Sequence, residues 1–153
     1  MENLAPLIEM LHQWSDLSVQ QAMTGFMHFM RENNLSFSQI SVLTRLHHHG
    51  PADIITISRE LQISKAGAGQ LIDRMLHSGW ISREISIEDK RSRIVVLTSA
   101  GKELVAQSIL AREDWIYELA KNIPQTKHNE ISQSLDDLNR LAQDLFGNNQ
   151  ICS

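Results

Sequence analysis

One stretch, Leu61–Leu97, restricts the fold more than any other part of the chain. Ser64 is suited to cap a helix, because its hydroxyl can accept a backbone N–H that has no partner within the helix. The helix it opens runs to about Ser78, with Leu71, Ile72, Met75 and Leu76 at helical spacing on one face. Gly79 is the residue expected just past its end, where a left-handed backbone carries no Cβ penalty. Trp80–Ile87 and Arg93–Leu97 are rich in β-branched and apolar residues and read as two strands. Between them lies a charged turn, Glu88-Asp89-Lys90-Arg91-Ser92. A short helix and a tight turn precede Ser64, so the order is helix, turn, helix, β-ribbon. The expected fold is therefore mainly α with a small β-hairpin, a winged helix-turn-helix. That layout sets its second helix in a major groove and its ribbon tip near the backbone or minor groove.

The flanks predict long helices. Leu4, Leu7, Ile8 and Leu11, then Met23, Phe26, Met27 and Met30, mark one helix with a bend near Ser15–Ser18. Asn33-Asn34 breaks it, and a second helix to His49 buries Ile40, Val42, Leu43 and Leu46. Gly50-Pro51 ends that helix. Thr56 is expected to cap a short helix bearing Ile57 and Leu61, and Ser99 to cap a helix reaching Asn122. A last helix, Gln125–Phe146, carries Ile131, Leu135, Leu138, Leu141 and Leu145 on one seam. The expected division is a dimerisation helix over 1–34, a winged lobe over 35–101, dimerisation helices over 102–146 and a flexible tail over 147–153. The long amphipathic end helices are too few to bury one another, and a second copy related by a twofold axis would cover them.

Charge supports this division. The chain carries −4 overall, but Thr56–Lys102 holds eight Lys/Arg against five Asp/Glu, whereas the remainder holds six against thirteen. A basic centre on an acidic scaffold suits a lobe that meets nucleic acid. A single cysteine, Cys152, excludes an intrachain disulfide. The first basic residue is Arg31, so a signal peptide's positive start is missing. No apolar run approaches a membrane span, and a cytoplasmic location is expected. The sequence has no Gly-rich phosphate loop, no spaced His/Cys metal set and no nucleophile with an evident base, so neither an enzyme nor a cofactor is expected.

Leu35–Leu104 resembles the MarR family of bacterial transcription regulators. The resemblance rests, in order and nearly without gaps, on Leu35–Gln39, Val42–Leu46, Gly50-Pro51, Ile57–Leu61, Ile63-Ser64, Leu71–Leu76, Gly79-Trp80, Asp89–Arg91 and Val96–Thr98 with Gly101. It implies an obligate homodimer held by the end helices. It also implies binding to a pseudo-palindromic stretch of double-stranded DNA, usually as a repressor released by a small-molecule effector or by oxidation.

By that resemblance the helix opened at Ser64 faces DNA through Ser64, Lys65, Ala66, Ala68, Gly69, Gln70 and Arg74. Two positions depart from the family's habit, which is a hydroxyl residue at Gly69 and an arginine at Gln70. Small residues allow close approach, with alanine methyls against thymine and Gln70 bidentate to adenine. The other reading is a helix with fewer base contacts, which leads to an alternative function: a protein-interaction module on a winged helix that no longer reads bases. Ser64 and Lys65 suit a phosphate at the helix start. At the wing, Arg91 fits a narrow minor groove, Asp89 shapes the turn, and Lys90 and Arg93 add phosphate contacts. Asp73 and Arg74 are also expected in structural ion pairs, and by family analogy Asp73 lies within reach of the wing arginine.

An effector pocket is expected between the winged lobe and the end helices, with His12, Trp14, Met23, Phe26 and His49 as liners. His47-His48-His49 invites a metal, but consecutive helical residues point about 100° apart and cannot converge on one ion. A polar helix end is the simpler reading, and no metal is expected. Cys152 would be a redox switch only beside a basic group, and the frayed tail argues against it.

Overall fold

The computed structural model describes residues 4–85 and 92–147. Helix α1 spans Ala5–Glu32, α2 Phe37–His49, α3 Ile54–Glu60 and α4 Lys65–His77. Strands β1 (Ile81–Ile85) and β2 (Arg93–Leu97) follow, then α5 (Ser99–Asn122), a 3₁₀ turn (Gln125–Lys127) and α6 (His128–Phe146). The winged helix-turn-helix expected from the sequence is present. The wing turn with Asp89, Lys90 and Arg91, the tail beyond Gly147, and Cys152 lie outside the described residues. Among the described residues no helix is long and apolar enough to cross a membrane.

The chain forms two compact units, residues 1–115 and 116–153. Phe29 and Met30 enter the same core as Leu43 and Leu46 of α2, Ile57 of α3, Ile72 and Met75 of α4, Ile81, Val95 and Val105. Val42, Leu43, Ile57, Ile72 and Met75 are completely buried, which at about 25 cal/mol per Å² of apolar surface makes this cluster the main source of the unit's stability.

Local chemistry sets the boundaries of the elements. Ser36 and Gln39 form a reciprocal capping box at the start of α2. The cap of α3 is Asp53, whose carboxylate accepts the Thr56 N–H at 2.7 Å, and not Thr56 as expected. The cap of α5 is Thr98 rather than Ser99: its hydroxyl accepts the Gly101 N–H at 3.1 Å and donates to the Gly79 carbonyl at 2.7 Å. Gly79 itself is left-handed at φ +74°. The chain stays helical through Ser15–Ser18, where the Ser18 hydroxyl donates to the Trp14 carbonyl. β1 and β2 pair antiparallel, Ile81 with Leu97 through Ile85 with Arg93. Ala52 bridges to Val95, adding a one-residue third strand that the sequence pattern did not reveal.

Within the first unit α1 crosses α5 at Gly25. A Cβ built there would lie 2.0 Å from the Ala111 carbonyl oxygen, so only glycine allows this approach. Arg112 lies over the Phe26 ring at 4.8 Å, and Trp14 and Trp115 pack with ring centroids 5.9 Å apart. In the second unit His128 contacts the Ile123 carbonyl through a ring nitrogen. The α6 seam of Leu135, Leu138, Leu141 and Leu145 stays exposed.

Candidate nucleic-acid interface

α3 and α4 pack against each other, and the turn between them places Gln62 in a left-handed conformation at φ 54°. The Ile63 N–H then donates back to the Ser58 carbonyl at 3.0 Å, which closes α3 and aims the chain at the next cap. As expected, Ser64 caps α4: its hydroxyl accepts the Gly67 N–H at 3.0 Å. Leu71, Ile72 and Met75 face the core. Lys65, Ala66, Gln70, Asp73 and Arg74 consequently face solvent.

Ala68 is a correction. It is completely buried, because it shares the inward face with Leu71, Ile72 and Met75, and its methyl is not available to a base. Gly69 is half-buried, but a Cβ there would meet nothing within 4 Å, so a larger residue would fit. Lys65, Ala66 and Gln70 thus share the outward side of the start of α4, and Ala66 and Gly69 add little bulk beside them.

The wing is tied to this helix by a contact between Arg83 of β1 and Asp73 of α4 at 2.8 Å. The sequence reading assigned Asp73 an ion pair but did not name Arg83. Alternation along β1 is the signal that would have found it, since Ile81 is buried and Arg83 two residues on shares its side of the ribbon. Arg93 is exposed at the first position of β2. Asp89, Lys90 and Arg91 lie outside the described residues.

Behind α4, Arg45 joins α2 to α3. Its guanidinium donates to Glu60 at 2.5 Å and to the Gly50 carbonyl at 2.6 Å. The hydrogen bond from Arg45 holds the Glu60 carboxyl below its usual range, against a smaller opposing effect of burial. The Thr56 backbone N–H does the same for Asp53.

The five expected effector liners do not converge within one chain. His12 and Met23 are eleven residues apart on α1, about 16 Å at helical rise. Trp14 and Phe26 are engaged by Trp115 and Arg112, and His49 is exposed at the end of α2. Met23 lines a groove of about 380 Å³ along α1 with Gln20, Met27 and His28. His47 and His48 meet edge to face, centroids 5.1 Å apart.

A capped recognition-type helix behind a helix-turn, linked by an ion pair to a two-stranded ribbon, defines a winged helix-turn-helix protein. The sequence profile of the MarR family matches residues 35–92, which hold α2, α3, α4 and β1, and over this stretch the chain is similar to MarR-type transcription regulators. An uncharacterised HTH-type transcriptional regulator of Bacillus subtilis, YfiV, is 34% identical over 71 residues, covering 46% of this chain and 44% of its own length. The chain spans about half the length of the curated relatives it matches. In fold it is similar to the transcriptional regulator Tm0710 of Thermotoga maritima, with a TM-score of 0.72 at 20% identity over 94% of this chain and 98% of that one. It is also similar to an S. aureus MepR mutant bound to an oligodeoxyribonucleotide, with a TM-score of 0.62 at 18% identity over 95% and 99% of the two chains.

Proposed function

We propose that the protein is a homodimeric repressor that binds a pseudo-palindromic operator and leaves it when a small-molecule effector binds. The observation that carries the DNA reading is the outward face of α4. A cap at Ser64, a cation at Lys65 and an unobstructed Gln70 sit on a helix whose other face is locked into the core. Backbone N–H groups and Lys65 favour a phosphate at the helix start, and Gln70 has the paired donor and acceptor that read adenine. The MepR mutant of similar fold is bound to DNA, and we transfer that mode to this chain. Asp89, Lys90 and Arg91 complete the reading as the wing contacts, with Arg91 in the minor groove. Such a protein works where the chromosome is, in the cytoplasm.

The dimer reading rests on apolar surface. Leu4, which precedes α1, and Leu7, Ile8, Leu11, Leu17 and Val19 within it are all more than a third exposed. In the second unit Leu141, Leu145 and Phe146 are more than 60% exposed. A monomer seldom leaves so much apolar side chain in water, and a second copy covers it on this reading. Helices 1–34 and 102–146 then serve as the dimerisation elements.

The test is selection of genomic duplex fragments by the purified protein at two salt concentrations, with its mass in solution measured in parallel. An enriched palindrome and a dimeric mass are expected. Weak binding that vanishes at higher salt without enrichment would overturn base reading and favour the interaction-module alternative. A monomeric mass would overturn the dimer.

A further inference from the structure

Helices α1, α3 and α4 end with the same turn. The Leu35 N–H donates to the Met30 carbonyl at 2.8 Å, the Ile63 N–H to the Ser58 carbonyl at 3.0 Å and the Trp80 N–H to the Met75 carbonyl at 3.3 Å. Each turn needs one residue in the left-handed region, and Asn34, Gln62 and Gly79 occupy it at φ 51°, 54° and 74°. Glycine and asparagine adopt that backbone readily, and glutamine does not. The hydrogen bonds that close the turn run from backbone to backbone, so the Gln62 side chain is not needed for it. That side chain is exposed and makes no hydrogen bond with any described residue. A glutamine held where glycine would suit the backbone better points to a use for its side chain.

Arg59 stands beside it. The Gln62 N–H donates to the Arg59 carbonyl at 3.2 Å, and Arg59 lies two residues from the completely buried Ile57, on the opposite side of α3. Arg59 is exposed and forms no ion pair with any described residue. The neighbouring carboxylate, Glu60, is engaged by Arg45, and Lys65 follows at the exposed start of α4. We propose that Arg59 and Gln62 hold one phosphate of the duplex backbone beside the groove that α4 enters, the guanidinium and the Gln62 side-chain amide both donating to it. This contact presupposes the DNA reading and adds two residues to it. A helix-turn-helix lays its first helix across the backbone, and the α3–α4 turn is where that helix meets the one proposed to read bases. The phosphate contact fixes the register of α4 and carries no sequence information of its own.

The test is binding of the full-length protein to the enriched duplex and to a scrambled duplex of equal length, followed by fluorescence anisotropy over a series of salt concentrations. Arg59→Gln is expected to weaken binding to both duplexes by the same factor and to lower the slope of log affinity against log salt by about 1. Gln62→Gly is expected to weaken binding about three- to tenfold while raising the urea midpoint, because it removes the amide and relieves the backbone. A side chain with a merely structural role would move affinity and midpoint in the same direction. A wild-type protein that binds neither duplex overturns the DNA reading and this contact together. A wild type that binds, with either variant equal to it in affinity, overturns the contact alone. A loss confined to the enriched duplex, or a Gln62→Gly midpoint below that of wild type, would also overturn it.

Discussion

Asp73 of α4 and Arg83 of β1 meet at 2.8 Å, and through them the proposed recognition helix and the wing are held at a fixed angle. Both side chains are more than a third exposed or nearly so, at 57% and 34%, so the pair contributes little to stability, under about 1 kcal/mol. Its effect should fall on DNA binding, where helix and wing must engage at once. Arg83→Ala is expected to weaken operator affinity about tenfold while shifting the urea midpoint only slightly. Affinity equal to wild type would show that the pair is an incidental surface contact.

Gly69 offers a change of opposite sign. A helix-interior glycine costs roughly 0.5–1 kcal/mol relative to alanine, and a Cβ at Gly69 meets nothing within 4 Å. Gly69→Ala should therefore stabilise the protein by about that amount, raising Tm by roughly 1–4 °C. A calorimetric scan showing no rise would mean that α4 is already fully formed without the added propensity. If the small residue serves close approach to a groove, the same variant will bind DNA less well although it is more stable.

What the sequence disclosed about this chain, and what it did not, follows from the range of the interactions. Local signals were legible: Ser64 as a cap, Gly79 as a left-handed stop, and the period of Leu71, Ile72 and Met75 all depend on residues within one turn of each other. The choice between nearby cap candidates, three residues apart at Asp53 and Thr56 and one apart at Thr98 and Ser99, was not. Asp53 and Thr98 won over Thr56 and Ser99 because each lies one step outside its helix with its oxygen aimed at the third amide on. Contacts between distant positions left no periodic trace. The Ala52–Val95 bridge, the Arg45–Glu60 pair and the Asp73–Arg83 pair span 43, 15 and 10 residues. Ala68 was misjudged although it continues the period of Leu71, Ile72 and Met75, because that period was not carried back into the small residues at the start of the helix.

The crossing of α1 and α5 makes a sharper demand. At Gly25 an added methyl would sit 2.0 Å from the Ala111 carbonyl oxygen, which is backbone and cannot swing aside as a side chain would. Gly25→Ala must push the helices apart and loosen the packing of Arg112 on Phe26. Overpacking of this kind typically costs about 1–3 kcal/mol, even though the substitution raises helix propensity. A chemical denaturation curve displaced to lower urea is expected. A curve displaced to higher urea, as propensity alone would give, would show that the helices do not approach this closely in solution.

Acid should act first on the helix-turn-helix. Asp53 and Glu60 both sit below the usual carboxylate range in the folded chain, Asp53 through the Thr56 N–H and Glu60 through Arg45. In the unfolded chain both return to ordinary values and bind protons at higher pH than the folded chain does. Their contribution is therefore complete above the ordinary carboxylate range and is lost as pH falls through the lower, folded values. Stability from urea midpoints is expected to decline from about pH 5 to about pH 3. Asparagine still caps a helix, so Asp53→Asn combined with Glu60→Gln removes both titrations without deleting the side-chain oxygens. That variant should be less stable than wild type near neutrality, where it lacks the charged pair with Arg45, and should decline less steeply in acid. A slope equal to wild type would assign the acid sensitivity to other carboxylates.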